Sequence, residues 1–268
     1  MSEAIEQPGG AAVPHQMRIG EILSAAFQLY RRHWRTLWAI AAVVVVPLTL
    51  LQYLFGHQLR VQGLARANGA MMSTPSWRVG VAGLVTALAG LLMYLVLTGA
   101  ITRAVAAEAA GRDPSVEESY RFGFHRLGSV LLVSVLVGLA VVGGLILLII
   151  PGIYIGIRLC VSTQALVVEG RRPTEATGRS WALVGGHWWH ALGTLLVAGL
   201  LTFVVNALIT TPFSATNWFG QAVAAAVATV ITLPYSTLVG VLLYLDLRAR
   251  KEQLTLETLR AELQASAT

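Results

Sequence analysis

Residues Pro151–Leu192 read PGIYIGIRLCVSTQALVVEGRRPTEATGRSWALVGGHWWHAL. The stretch holds one short apolar run, one basic turn, one amphipathic segment and the entry to a second apolar run. Much of the remaining chain reads as variations on this unit, and the unit decides the fold class. Apolar runs that return every few dozen residues, punctuated by arginines, belong to a helical protein that crosses a membrane several times.

Composition agrees. Only 12% of the 268 residues are charged, about half the share of an ordinary soluble domain, roughly 25%. The mean hydropathy is +0.68. The net charge of +6 comes from 19 basic residues, of which only Lys251 is a lysine. In a soluble chain such a balance would point to nucleic acid. Here the arginines flank apolar runs, so they serve topology and anionic headgroups, and nucleic acid is not an expected partner. Cys160 is the single cysteine. Alone it forms neither an internal disulfide nor a metal site, and inside an apolar run it acts as a small hydrophobe.

A spanning helix needs about 20 mostly apolar residues. Six runs qualify: 37–55, 79–102, 128–150, 153–168, 190–211 and 221–245. The fourth is short and interrupted by Arg158, and Pro151-Gly152 before it reads as the tight turn of a hairpin. Residues 1–17 lack the basic start and apolar centre of a signal peptide and read as a disordered cytosolic tail. Residues 18–252 form one membrane domain, and residues 253–268 a cytosolic helix or tail. Alternate connections carry 15 basic residues against 3 on the opposite side. That bias places both termini in the cytosol, consistent with six spans.

Three amphipathic segments precede spans. In 18–35 the apolar residues Ile19, Ile22, Leu23, Ala26, Phe27, Tyr30 and Trp34 follow helical steps of three and four. In 115–131 the stripe is Val116, Tyr120, Phe124, Leu127 and Leu131, and Ser115 with Glu118 fits a capping box. In 174–188 it is Thr177, Trp181, Val184 and Trp188. Glu21, Phe27, His33 and Trp34 have the spacing of Glu175, Trp181, His187 and Trp188. The expectation is a pseudo-threefold repeat of an interfacial helix followed by a membrane hairpin. The apolar face of each such helix would lie at the headgroup boundary and its arginines would meet anionic lipid. The competing reading packs these faces on the bundle.

No Walker, HExxH, GxSxG or cysteine-rich metal pattern occurs, so no catalytic, cofactor or metal residue is assigned. His187 and His190 share a helical face, but a catalytic zinc needs a third ligand. They read better as interfacial histidines in an aromatic belt. Arg158 lies within a span, which makes it a functional candidate unless it snorkels to the interface. Asn206, and Ser236 after Pro234, are candidates for hydrogen bonds between spans. Arg158 and Asn206 are the candidate intramembrane polar site. Asp246 reads as an exposed ion-pair partner that closes the last helix, of little energetic weight. Arg31, Arg32, Arg35, Arg171, Arg172 and Arg179 are the candidate headgroup contacts.

The segments IGEILSAAFQLYRRHW, PGIYIGIRL, EGRRPTEATGRSWALVGGHWW and LDLRARKE resemble the glycerophosphoryl diester phosphodiesterase membrane domain family. The resemblance runs over roughly residues 17–263. It implies a bacterial inner-membrane protein whose membrane region anchors, scaffolds or presents lipid-derived molecules. Some members carry a soluble phosphodiesterase barrel after this region. None follows here, so the resemblance transfers no catalytic residue. The expected function is a non-enzymatic scaffold, anchor or partner subunit, with lipids and a further membrane protein as partners. A small transporter and a lipid-modifying enzyme are the alternatives.

Overall fold

The computed structural model describes residues 16–67, 80, 83, 84, 97–104, 121 and 126–252. Every regular element among them is helical. Seven helices have defined bounds: α1 (Ile19–Ala67), α2 (Leu127–Leu147), α3 (Ile149–Arg158), α4 (Ser162–Glu169), α5 (Pro173–Val184), α6 (Trp188–Thr210) and α7 (Trp218–Lys251). A 3-10 turn, Thr211–Phe213, leads from α6 towards α7. Among the described residues, five stretches are long and apolar enough to cross a bilayer: Ile19–Leu54, Gly128–Leu147, Ile149–Glu169, Trp188–Phe213 and Trp218–Lys251. Their outer surface is apolar, with Leu139, Ile146, Ile150, Phe203 and Leu208 each more than half exposed. Such a surface suits lipid as solvent. The chain is a multi-pass helical membrane protein. The expected span 79–102 lies mostly outside the described residues, although 97–104 is helical and Leu97, Ala100 and Ile101 are buried there.

The organising helix is α7. Its 34 residues give a rod of about 51 Å. Every residue from Thr237 to Arg248 is buried, so this half is enclosed on all sides. The N-terminal part of α1 runs antiparallel along it. The Met17 N–H bonds Asp246 Oδ1 at 2.6 Å, and the Tyr30 hydroxyl donates to the Ile231 carbonyl at 3.0 Å. Those anchors lie about 20 Å apart along either helix. The centre of the amphipathic stripe, Ile22 and Ala26, is fully buried. That part of the apolar face therefore packs on protein, while Phe27 (52% exposed) and Trp34 (42%) remain uncovered. Met17, at the edge of the expected tail, belongs to the core.

The sequence separates 18–35 from the first span. The structure joins them in α1 across a kink at His33, whose φ and ψ are −118° and 22°. His187, the residue before α6, has φ −122° and ψ 24°. The two histidines that match in spacing thus share one non-helical conformation, and in each case a tryptophan follows and a long apolar helix continues.

The hairpin turn falls at Leu148 (φ −167°, ψ 152°), three residues before Pro151. Pro151 lies in the first turn of α3, where its missing N–H leaves no intrahelical bond unmade. Gly152 makes the crossing possible. A Cβ there would lie 2.7 Å from the Leu145 backbone nitrogen, so a side chain would push α2 and α3 apart. The chain breaks again between Arg158 and Ser162, so the fourth apolar run is two helices, α3 and α4. Gly170, with φ 65°, ends α4 in the left-handed region that glycine occupies without strain.

In α5 the buried face differs from the expected stripe. Ala176, Ser180, Leu183 and Val184 are buried, whereas Thr177 is half-buried and Trp181 exposed. Small residues at 176 and 180 permit close packing. The Ser180 hydroxyl then donates to the Arg158 carbonyl at 2.9 Å and receives the Val161 N–H at 3.3 Å. It thereby satisfies backbone groups left open by the break between α3 and α4.

Candidate functional site

Polar side chains gather in two clasps at the C-terminal end of α7. The segment 246–252 reads DLRARKE. It places Asp246 and Arg250, and Arg248 and Glu252, one helical turn apart. Asp246 is fully buried. It accepts from the Met17 N–H, and from Arg250 Nε at 2.8 Å, and His190 Nε2 lies 3.0 Å away. An Arg250 terminal nitrogen also donates to the Met17 carbonyl at 2.6 Å. This first clasp ties the start of α1, the start of α6 and the end of α7. Asp246 is therefore a buried carboxylate with directed partners, not the exposed ion-pair member read from the sequence. A charge so placed needs those partners, because desolvation without them costs several kcal/mol, about 3–5 when one partner is removed.

The second clasp centres on Glu169, at the end of α4, whose side chain is 5% exposed. The Tyr244 hydroxyl donates to it at 2.5 Å and Arg179 Nε at 2.9 Å, and Arg171 also pairs with it. Arg248 Nε lies 3.8 Å from the same carboxylate and 3.2 Å from Glu252. Arg179 also pairs with Glu252, and Lys251 donates to the Ala182 carbonyl. The Arg179 hydrogen bond holds the Glu252 carboxyl below its usual range, against a smaller opposing effect of burial. These charges fasten α4 and α5 to α7.

The six arginines expected at headgroups divide. Arg171 and Arg179 belong to the second clasp. Arg172 is exposed just before α5. Arg31, Arg32 and Arg35 are exposed together on α1. Arg31 lies 6.0 Å from the centre of the Phe27 ring and Arg35 5.7 Å from that of Trp34. A compact cationic and aromatic patch results.

Arg158 packs among aromatic rings. Its guanidinium carbon sits 4.4 Å from the Trp181 ring centre and 5.7 Å from that of Tyr154. Tyr154 in turn stacks on Trp188 at 5.8 Å. Asn206 is elsewhere: it lies 18 residues beyond Trp188 on α6, about 27 Å along the helix. The expected pair therefore does not form one site. Ser236 bonds the Leu233 carbonyl of its own helix rather than a neighbouring span. His187 and His190 do lie near Asp246, but no group of three metal-ligating side chains occurs among the described residues. Burial and the nearby Arg250 and Lys251 lower the basicity of His187. Asp246 is fully buried, and both of its carboxylate oxygens face partners within the fold.

Two cavities adjoin α1. A cleft of about 160 Å³ is lined by Phe27, Tyr30, Leu201, Val205, Ile231 and Tyr235, with Thr202 and Thr232. Tyr30 is fixed at its wall, since its hydroxyl accepts from Trp38 Nε1 at 2.6 Å and its ring meets Tyr235 edge-on. A second cavity, of about 290 Å³, lies between the far part of α1 and the start of α7, beside Gln52, Tyr53, His57 and Trp218.

The chain matches no family model, no curated protein and no solved structure. Fold and surface define a class, the multi-pass helical membrane proteins, and functional assignment rests on the chain's own residues.

Proposed function

We propose that the protein is a non-enzymatic membrane anchor or scaffold that engages anionic lipid through Arg31, Arg32 and Arg35, and that recruits a further membrane protein. The observation that carries this reading is the exposed trio beside the uncovered rings of Phe27 and Trp34. Aromatic rings favour the headgroup boundary. Each basic residue near an anionic surface contributes about 1 kcal/mol of attraction. Arg172 is also exposed, whereas Arg171 and Arg179 are engaged within the fold.

The fuller architecture is part of the same proposal: six spans, three interfacial helices in a pseudo-threefold repeat, and both termini in the cytosol of a bacterial inner-membrane protein. The matched backbone at His33 and His187 supports the repeat. The bonding of Met17 to Asp246 and Arg250 supports termini on one side. The resemblance to the glycerophosphoryl diester phosphodiesterase membrane domain rests on the quoted motifs alone and agrees with an anchoring role.

The test is native mass spectrometry of the protein released from nanodiscs holding equal amounts of phosphatidylglycerol and phosphatidylcholine. The wild type should retain phosphatidylglycerol in excess. A variant with Arg31→Gln, Arg32→Gln and Arg35→Gln should lose most of that excess. An unchanged lipid ratio would refute the assignment.

A further inference from the structure

The cleft between α1, α6 and α7 and the arginine trio share a side chain, Phe27. One part of the Phe27 ring lines the apolar cleft, and Arg31 lies over the ring. We infer that this cleft is a lipid site: it takes part of one acyl chain of an anionic phospholipid, and the phosphate of the same molecule meets Arg31 and its neighbours Arg32 and Arg35. The inference rests on the proposed lipid-binding role and gives it a place and a second determinant.

Three features favour an acyl chain over other occupants. First, the walls belong to three of the helices long and apolar enough to cross a membrane, a setting that suits an acyl chain. Second, the volume of about 160 Å³ resembles that of apolar cavities, about 150 Å³, that stay dry and take up benzene. It admits a segment of chain and not a headgroup. Third, most polar groups in the wall are already used within the fold. The Tyr30 hydroxyl donates to Ile231 and accepts from Trp38, while Thr202 and Thr232 donate to carbonyls of their own helices. Three of the four hydroxyls in the wall are thus committed, leaving only that of Tyr235, so the cleft is mainly apolar, whereas the cations at the rim complement a phosphate.

The experiment separates chain binding from charge binding. Leu201→Trp and, independently, Val205→Phe fill the cleft and leave the arginines in place. Each variant is reconstituted in the same nanodiscs, checked for a native thermal transition, and scored for lipids retained per protein. The inference expects at least a several-fold loss of tightly retained phosphatidylglycerol in both variants. The triple arginine variant should instead keep a retained lipid but lose its preference for phosphatidylglycerol. Wild-type lipid retention by a folded filling variant would overturn the cleft, even if the arginine variant behaves as expected and the broader lipid-binding reading stands. Loss of retention on filling, with no effect of the arginine changes, would overturn the phosphate contact and with it the proposed function.

Discussion

Asp246→Ala should be among the most damaging single changes in this protein. It removes the acceptor of the Met17 N–H and the partner of Arg250. Breaking a buried pair costs about 3–5 kcal/mol; because Arg250 keeps some access to solvent, a loss near 3 kcal/mol is expected in chemical unfolding in detergent. Tyr244→Phe is subtler. It deletes one hydroxyl from a fully buried ring and leaves Glu169 short of a donor. Hydrogen bonds to charged groups contribute about 1.5–3 kcal/mol, and the same unfolding assay should show a loss in that range. Arg158 and Trp181 should be coupled. A double-mutant cycle with Arg158→Ala and Trp181→Leu should return about 1 kcal/mol, the value for a partly solvated cation over an aromatic face. Additive effects would place the stabilisation elsewhere.

Among the elements, the α2–α3 hairpin depends on Gly152. Gly152→Val forces a side chain into Leu145, and overpacking of this kind costs about 1–3 kcal/mol. Proteolysis within the hairpin should accelerate in that variant. The attachment of α5 to α7 should depend on pH. His187 is held below its ordinary value by burial, with Arg250 and Lys251 adding to the effect, so folding favours its neutral form. Its contribution is complete above the unfolded value of about 6.5 and declines as pH falls from there towards the lower folded value. Glu252 follows the same sign further down: its stabilising contribution is present above the unfolded value of about 4.3 and is lost as pH falls through the depressed folded one. The unfolding midpoint should therefore drop in two steps on acidification. His187→Gln should remove the upper step and Glu252→Gln should reduce the lower.

At the scale of the molecule, the order of crossings can be read by labelling. In a Cys160→Ser background, cysteines at Thr174 and Ser214 occupy exposed positions that precede and follow α6 in the chain. A membrane-impermeant maleimide should reach them from opposite faces of the membrane. Labelling of both from one face would contradict the crossing by α6. Much of this scale was legible in the chain, because a run of about 20 apolar residues has few alternatives to a spanning helix. The runs at 128–150, 190–211 and 221–245 coincide with α2, α6 and α7 to within a few residues. What escaped the sequence is long-range. Asp246 and Met17 are 229 residues apart, and no local pattern names such a partner. The signal that could have raised suspicion is the charge alternation from Asp246 to Glu252, with two pairs one turn apart. The buried face of α5 was misplaced for a related reason. The hydrophobicity of Trp181 drew the stripe, while the space available at Ala176 and Ser180 decided the packing.

The central position of α7 sets the order in which the protein can mature. The ribosome makes this helix last among the described elements, yet it holds Tyr244, Asp246, Arg248 and Arg250, which Glu169 and the start of α1 require. Until it emerges, the earlier helices reside in the membrane with a nearly buried carboxylate lacking its tyrosine partner and an amino-terminal segment with nothing to grip. Emergence of α7 is then the event that locks the earlier helices in place. A chain stopped at Leu245 should insert and be cleared by quality control, whereas one stopped just after Glu252 should persist, and pulse-chase turnover of the two would tell them apart.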